Sequence, residues 1–191
     1  MVEFVVSELI LGGQRSGKSR RAELRARAWL DAAPHHDAVL LATAQPWDGE
    51  MRERIARHQQ DRAQSLPGMR TVEVPVSLPE AVKTHSSEHT LVVVDCLTLW
   101  LGNLIMPLDP APAIDEAAVL AAGEALCEAI AQAPGPVVLV SNEVGLGVVP
   151  MGREVRAYVD ALGRLNQQVA RVCDRVTLMA AGLPLALKGK A

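Results

Sequence analysis

The residues with the clearest chemistry form the segment at 12–19, which reads Gly-Gly-Gln-Arg-Ser-Gly-Lys-Ser. It fits the pattern G-x-x-x-x-G-K-[ST] in full, in which glycines let the backbone curl so that its N–H groups face phosphate oxygens. In such a loop Lys18 reaches the β- and γ-phosphates of a nucleoside triphosphate, and the Ser19 hydroxyl ligates Mg²⁺. The same letters can also form an ordinary glycine-rich turn. Here an apolar run precedes them and a helical pattern follows, which favours phosphate binding. The predicted phosphate-binding residues are Gly12, Gly13, Gln14, Arg15, Ser16, Gly17, Lys18 and Ser19.

A carboxylate suited to the same magnesium ion ends a second apolar run, Leu-Val-Val-Val-Asp at 91–95. Because Mg²⁺ prefers oxygen ligands, Asp95 could hold the ion directly or through water. The alternative is that Asp95 caps a helix that starts near Leu97. The loop upstream favours the metal role, and the two roles are compatible.

A histidine in a basic setting lies in the segment 48–62, which has a helical pattern. On a helix Arg54, His58, Asp61 and Arg62 would share one face. Neighbouring guanidiniums neutralise a phosphate and lower the protonated fraction of an imidazole, so His58 is a candidate nucleophile toward phosphorus. No second His or Cys lies at ligand spacing, which argues against a metal site there. From this segment alone, an exposed histidine on a solvated helix is the preferred interpretation.

The rest of the chain alternates short apolar runs with longer helical patterns, which indicates an α/β fold. Strands are predicted at 9–12, 38–43, 71–74, 91–95, 137–141 and 176–180, with a short edge strand at 183–187. Helices are predicted at 18–31, 48–62, 77–86, 97–106, 114–132 and 152–173, and loops at 63–68 and 107–113. Most strands are apolar on both faces, as in a parallel sheet covered on two sides. With the loop at 12–19, we predict a single P-loop NTPase-type (RecA-like) domain over 1–191: a mostly parallel sheet with helices on both faces.

The composition and the charge of the chain indicate which partners and which cell compartment to expect. The net charge of −3, with 19 basic and 22 acidic residues, argues against a nucleic-acid partner. Three widely spaced cysteines indicate free thiols in a reducing compartment. The first eight residues lack the basic start of a signal peptide, and no apolar run is long enough to cross a bilayer. A cytoplasmic protein is expected.

Several segments together resemble one family, in the same order along nearly the whole chain. They are the loop G-G-Q-R-S-G-K-S-R at 12–20, A-T-A-Q at 42–45, R-I-A-R-H at 54–58, R-T-V-E at 70–73, N-E-V-G-L-G-V-V-P at 142–150 and G-R-L-N-Q at 163–167. The family is the bifunctional adenosylcobinamide kinase / adenosylcobinamide-phosphate guanylyltransferase of cobalamin biosynthesis. The segments at 54–58 and 142–150 are its most specific features.

The resemblance implies two reactions and a set of residues. ATP or GTP would phosphorylate adenosylcobinamide, and GTP would then donate GMP to adenosylcobinamide phosphate through a bond to His58. Lys18 would be the second catalytic residue, and the protein would be a homotrimer. The implied guanine-nucleotide site comprises Thr43, Ala44, Gln45, Gln59, Gln60, Asp61, Arg62 and Glu73, beside the loop and Asp95. A carboxylate such as Glu73 can accept from N1 and N2 of guanine, which adenine lacks as donors; otherwise it is an ordinary surface acid.

Two other functions remain open at this point. A P-loop kinase for another small metabolite would leave His58 incidental. A nucleotide-dependent switch or motor subunit would bind the nucleotide without transferring a group, although the short chain shows no extension for binding a partner.

Overall fold

Seven strands form one sheet in the computed structural model, which describes residues 7–107, 115–148 and 150–189, apart from the side chains at 54, 58, 59 and 61–64. The strands are β1 Ser7–Gly12, β2 Asp37–Ala42, β3 Met69–Glu73, β4 Thr90–Asp95, β5 Val137–Val140, β6 Arg175–Ala180 and β7 Leu183–Lys188. Their order is β3-β2-β4-β5-β1-β6-β7. All neighbouring pairs are parallel except β6 and β7, which form an antiparallel hairpin. The predicted mostly parallel sheet and the edge strand are confirmed.

Six α-helices in the described part of the chain connect these strands, and most bury one stripe of small or aliphatic side chains. They are α1 Lys18–Ala32, α2 Gly49–Ser65, α3 Leu78–His85, α4 Leu97–Ile105, α5 Glu116–Ala131 and α6 Arg153–Val172. In α1 the buried residues Ala22, Ala26 and Trp29 recur at three- and four-residue spacing, so one face of the helix lies on the sheet. In α6 the stripe comprises Leu162, Leu165 and Val169.

The two faces of the sheet carry separate apolar layers. On one face Ile10, Leu40 and Val93 of the strands meet the small residues and Trp29 of α1. On the other face Leu9, Val39 and Val92 meet α3, α4, α5 and α6. Because adjacent residues of a strand point to opposite faces, the apolar runs of β1, β2 and β4 supply both layers. The prediction of helices on both faces is confirmed.

The predicted boundaries differ from the structure most at the end of α2. Residues 63–65 were expected in a loop but form the last turn of the helix. The helix ends before Leu66, whose neighbour Pro67 disfavours helical dihedrals in the preceding residue. The predicted loop at 107–113 lies outside the described residues except for Pro107. None of the described helices combines the length and the apolar character that crossing a bilayer requires.

Candidate functional site

Most of the predicted site residues follow the carboxyl ends of strands. Gly12 ends β1, Glu73 ends β3 and Asp95 ends β4, while the segment 43–45 follows β2. Since these strands are parallel, their carboxyl ends meet along one edge of the sheet, where open α/β sheets bind their ligands. We call this edge the carboxyl edge.

The loop at 12–17 has backbone dihedrals that depend on glycine at two positions. Gly12 has φ of +152°, and a Cβ there would come within 2.6 Å of the Met179 carbonyl oxygen. Gly17 has φ of +101° immediately before α1, where a Cβ would lie 3.2 Å from Cα of Gly182. Side chains are strained in this region of φ, so the loop conformation requires both glycines. Arg15 is also left-handed, with φ of +55°.

Lys18 and Ser16 are the buried polar side chains of the loop. The Lys18 ammonium donates to the Gly13 carbonyl oxygen at 2.7 Å, so the side chain folds back over the loop. The Ser16 hydroxyl oxygen is inaccessible to solvent and has no hydrogen-bond partner in the described part of the chain. The N–H of Gly182, in the turn between β6 and β7, donates to the Ser16 carbonyl oxygen at 3.0 Å and supports the loop from behind. Gly13, Gln14 and Arg15 are exposed.

A buried carboxylate fixes α1 against the sheet below the loop. Glu8 in β1 is 2% exposed and accepts from Arg21 at 2.9 Å and from Arg25 at 2.7 Å, both on α1. The Thr177 hydroxyl of β6 donates to the same carboxylate at 2.9 Å. Burial alone would raise the pKa of Glu8, but Arg25, Thr177 and Arg21 outweigh it and the pKa lies below its usual value of 4.5. The ionised cluster therefore holds the first turns of α1 in register with β1.

Ser19 and Asp95 line the same small crevice, together with Glu23. A hydroxyl and a carboxylate are oxygen donors of the type that Mg²⁺ prefers, so this pair fits the predicted metal role. The alternative role of Asp95 as a helix cap is wrong, because Cys96 occupies the N-cap position of α4. Burial raises the pKa of the Cys96 thiol, and the charge of Asp95 adds to the rise, which favours the neutral thiol over the nucleophilic thiolate.

The segment after β2 turns its threonine inward. Thr43 is fully buried, and its hydroxyl accepts from the Cys96 N–H at 2.7 Å and lies 2.8 Å from the Cys96 carbonyl oxygen. Ala44 and Gln45 are half-buried, and Gln45 Oε1 is buried without a partner among the described atoms. Asn103 of α4, 3% exposed, donates to the carbonyl oxygens of Thr43 at 2.7 Å and of Pro75 at 2.9 Å. Thr43 thus joins β2 to β4 through hydrogen bonds.

Asn103 was not among the predicted site residues, although its position as a polar residue among the apolar positions of α4 could have identified it. Asn166, which is 4% exposed in α6, lies in the family-like segment at 163–167 but was given no role of its own. Asn166 accepts from the Ser141 hydroxyl at 2.7 Å and donates to the Asn142 carbonyl oxygen and to Glu143 Oε1, each at 3.0 Å. The Glu143 N–H in turn donates to the Gly12 carbonyl oxygen at 3.3 Å. This chain of hydrogen bonds links the segment after β5 to the start of the phosphate loop.

Four exposed apolar side chains lie beyond that anchor among the described residues, and the first is Val144, which is 39% exposed. Leu146 belongs to a short 3-10 helix, Val144–Leu146, and is 77% exposed. Val148 and Met151 are each 96% exposed. Exposed apolar side chains of this kind are typical of surfaces that bind a ligand or another subunit.

Glu73 lies on the same edge but far from the loop. It is exposed and borders an open pocket of about 330 Å³, with Val76, Glu80 and His85 on the other side. The strand order places β3 four positions from β1, a separation of about 19 Å at the usual strand spacing. A nucleotide that contacts both the loop and Glu73 would have to lie extended along the edge.

The predicted nucleophile lies in α2. The backbone of His58 and of residues 59–62 is helical. The side chains of His58, Gln59, Asp61 and Arg62 are outside the described part of the structure, and Gln60 is exposed. The predicted face with Arg54 and Arg62 therefore stays a prediction.

Solved structures with a similar fold include an ATPase domain and a flagellar accessory protein. The ATPase domain aligns with a TM-score of 0.51 at 13% identity over 90% of this chain and 68% of that one. The flagellar accessory protein FlaH from Methanocaldococcus jannaschii aligns with a TM-score of 0.53 at 10% identity over 96% and 78% of the two chains. At these identities the likeness concerns the fold and agrees with a RecA-like P-loop NTPase.

Relatives identified by sequence identity give more specific information about the family. The chain is 46% identical, over 96% of its length and 98% of the relative, to the bifunctional adenosylcobalamin biosynthesis protein CobP of Pseudomonas aeruginosa. It is 34% identical to the CobU protein of Escherichia coli and 35% identical to that of Salmonella typhimurium, each over 94% of this chain and 98% of the relative. Residues 8–187 match the model of the family described as cobinamide kinase / cobinamide phosphate guanyltransferase. Nearly the whole chain is covered by these relatives and by the family model, and the protein belongs to this cobinamide kinase / cobinamide phosphate guanyltransferase family.

Proposed function

We propose that this chain phosphorylates adenosylcobinamide with a nucleoside triphosphate and then transfers GMP from GTP to adenosylcobinamide phosphate, giving adenosylcobinamide-GDP. The observation that carries the proposal is the glycine-dependent loop at 12–17, with Lys18 buried against it and the Ser19–Asp95 crevice beside it. Family membership supplies the substrates.

In the kinase reaction the loop amides and Lys18 hold the triphosphate. Lys18 exchanges its hydrogen bond to the Gly13 carbonyl oxygen for phosphate oxygens, and its charge stabilises the negative charge of the transferring γ-phosphoryl group. The substrate hydroxyl oxygen forms a bond to the γ-phosphorus while the bond to the β-phosphate oxygen breaks, and the hydroxyl proton leaves to solvent or a base. Ser19 and Asp95 would hold Mg²⁺, which when bound neutralises phosphate charge and orients the β- and γ-oxygens.

In the second reaction His58 acts as the nucleophile. An imidazole nitrogen attacks the α-phosphorus of GTP, and pyrophosphate leaves. A phosphate oxygen of adenosylcobinamide phosphate then attacks the same phosphorus, which breaks the P–N bond and frees His58. Two displacements let one site handle two bulky substrates in turn. The helical backbone of α2 and its Arg54 and Arg62 support this role.

The guanine base is proposed to contact residues beyond the loop. Glu73, beside an open pocket, and Gln45, whose buried side-chain oxygen has no hydrogen-bond partner among the described residues, supply acceptors for guanine N–H groups. Gln59, Gln60, Asp61 and Arg62 would complete the site from α2. Thr43 would contribute by positioning the segment 43–45, because its hydroxyl, its N–H and its carbonyl oxygen are bonded to Cys96, Asp95 and Asn103.

We also propose that residues 1–191 act as one nucleotide-binding transferase domain in a cytoplasmic homotrimer. Three free cysteines suit a reducing compartment. The exposed side chains of Leu146, Val148 and Met151 suit a subunit interface beside the site. Light scattering coupled to size-exclusion chromatography measures the mass in solution, and a monomer would contradict the trimer without affecting the chemistry.

The decisive experiment uses GTP labelled at the α-phosphate. After incubation with Mg²⁺ and denaturation, the wild type should carry label that resists alkali and is released by acid, as expected for a phosphorus–nitrogen bond. His58→Ala should carry none, and His89→Ala, an exposed histidine in the turn before β4, should label normally.

Each other outcome has a definite meaning. Label that persists in His58→Ala would contradict the nucleophile. Absence of label in the wild type, with adenosylcobinamide still phosphorylated, would indicate a kinase without guanylyl transfer. Absence of both reactions, with nucleotide bound, would indicate a nucleotide-dependent switch.

A further inference from the structure

Three histidines meet at the opposite edge of the sheet from the candidate nucleotide site. His35 and His36 lie between α1 and β2, and His89 lies in the turn before β4. The Asp37 N–H donates to the His89 carbonyl oxygen at 2.8 Å, so the two turns are joined directly through their backbones. Strands β2 and β4 each span six residues, and this edge is therefore about 20 Å from the carboxyl edge.

His36 is oriented by its neighbours. Its ring stacks on the indole of Trp29, with centroids 3.7 Å apart and planes within 1° of parallel. Its Nδ1 lies 2.7 Å from the Trp29 carbonyl oxygen. Because a carbonyl oxygen can only accept, Nδ1 carries the proton in this hydrogen bond and Nε2 of the neutral ring keeps its lone pair. Metal-binding histidines are commonly oriented by a hydrogen bond of this kind.

The other two rings converge on the same point. The ring of His35 lies 5.0 Å from that of His36 and 4.6 Å from that of His89, centroid to centroid. One nitrogen from each of the three rings lies within 4.8 Å of the others. Tetrahedral Zn²⁺ with its usual Zn–N bonds would bring such nitrogens to about 3.3 Å from one another. His35 and His89 are exposed, so their rings can rotate to close the remaining distance.

The carboxylate of Asp37, the residue next to His36, is engaged elsewhere. One oxygen of the Asp37 carboxylate accepts from the Ala38 N–H at 2.9 Å, and the other lies 3.5 Å from Arg70. A site here would therefore consist of three neutral imidazole ligands. Such a set favours late first-row divalent cations over Mg²⁺ or Ca²⁺, which prefer oxygen ligands.

We propose that His35, His36 and His89 bind one Zn²⁺ or a similar late first-row divalent cation, with water at the remaining position. The ion joins the α1–β2 turn to the turn before β4. Because the site lies at the far edge of the sheet, its effect is on stability and not on phosphoryl or GMP transfer.

The test is a Zn²⁺ titration of the full chain by calorimetry, with saturating Mg²⁺ present to occupy oxygen-ligand sites. We expect one Zn²⁺ per chain, and an affinity at least about tenfold lower in His35→Ala and in His89→Ala. His36→Phe keeps a ring for stacking on Trp29 but removes the ligand nitrogen, and it should lose affinity equally. The control His85→Ala, with its histidine in α3 beside Arg70, should bind as the wild type does.

A second measurement shows whether a variant loses Zn²⁺ affinity because it is unfolded. Circular dichroism of each variant without metal should match the wild type, and Zn²⁺ should raise the melting temperature of the wild type and His85→Ala only. Absence of Zn²⁺ binding by the wild type would overturn the proposal and leave the three rings as a packing cluster. Unchanged binding in His35→Ala and His89→Ala would also overturn it, since the ion would then lie elsewhere.

Discussion

The phosphate loop and helix α2 supply the two proposed catalytic residues but are anchored very differently. The loop is fixed by Gly12 and Gly17, by the ionised cluster at Glu8 below it, and by the hydrogen bonds that run from Asn166 to the Gly12 carbonyl oxygen. None of the described side chains of α2 is buried, and among them only Met51 and Ile55 are half-buried. Polar helices gain little stability from packing.

The difference indicates that the loop and α2 have separate roles within one site. The residues that bind the triphosphate are already held in place by β1, the loop and α1. This arrangement suits both the kinase reaction and the guanylyl transfer. The proposed nucleophile is carried by a helix whose described residues contribute little to the core. Substitutions that damage the loop should therefore affect both reactions and often stability, whereas substitutions in α2 should affect GMP transfer alone.

Lys18→Ala should have the largest effect and should reduce both reactions. The variant loses the ammonium that stabilises charge on the transferring group, so kcat/KM should fall by at least about 10²-fold in each reaction. Steady-state kinetics with each substrate provide the measurement. Lys83→Ala removes the same charge from an exposed position of α3 and serves as the control. A normal kinase rate in Lys18→Ala would contradict the role of the loop.

Glu8→Ala should be the most destabilising change in the anchor of the loop. It leaves the guanidiniums of Arg21 and Arg25, 16% and 32% exposed, without their carboxylate. We expect the free energy of unfolding to fall by about 3 kcal/mol, measured by urea denaturation. Glu88→Ala, at an exposed position, should change it little.

The same carboxylate predicts a pH dependence of stability. Its pKa is lowered in the folded state, so ionised Glu8 contributes stability above about pH 4.5 and this contribution is lost as the pH falls through the lowered pKa. Glu8→Gln mimics the protonated form. Unfolding free energies of the wild type and Glu8→Gln should therefore differ most near neutral pH and converge in acid. A constant difference at all pH values would contradict this account.

Asn166→Ala should have an intermediate effect. The change leaves the Ser141 hydroxyl and the Asn142 carbonyl oxygen without their partner in a buried position, which should cost about 2 kcal/mol of unfolding free energy. Because this network reaches the Gly12 carbonyl oxygen, both reactions should also slow. Gln167→Ala removes an exposed amide from the same helix and is the matched control. Equal stability of the two variants would show that the network is not an anchor.

The features that the sequence predicted also differ in kind from those that it did not predict. The strands, the helices and the loop at 12–19 could be predicted because their signals are local: apolar runs, three-to-four spacing and glycines before a lysine. The partners of Asn103 and Asn166 could not, because those hydrogen bonds join residues that are 23 or more positions apart. The end of α2 was placed three residues too early, since Ala63, Gln64 and Ser65 are permissive in either structure. The resemblance was needed to give His58 a role.

Ile55→Ala should have the smallest effect on stability and the most selective effect on function. The side chain is half-buried, so the free energy of unfolding should fall by less than about 1 kcal/mol. Ile55 lies one helical turn before His58, and we expect the loss of this half-buried side chain to shift α2 relative to the loop. We expect the yield of α-labelled protein to fall while the kinase rate stays near that of the wild type. Arg52→Ala, at an exposed position of α2, is the control for a change in the same helix. A parallel fall in both reactions, or a loss of stability as large as that of Glu8→Ala, would mean that α2 and the phosphate loop form one unit and that the proposed separate roles do not exist.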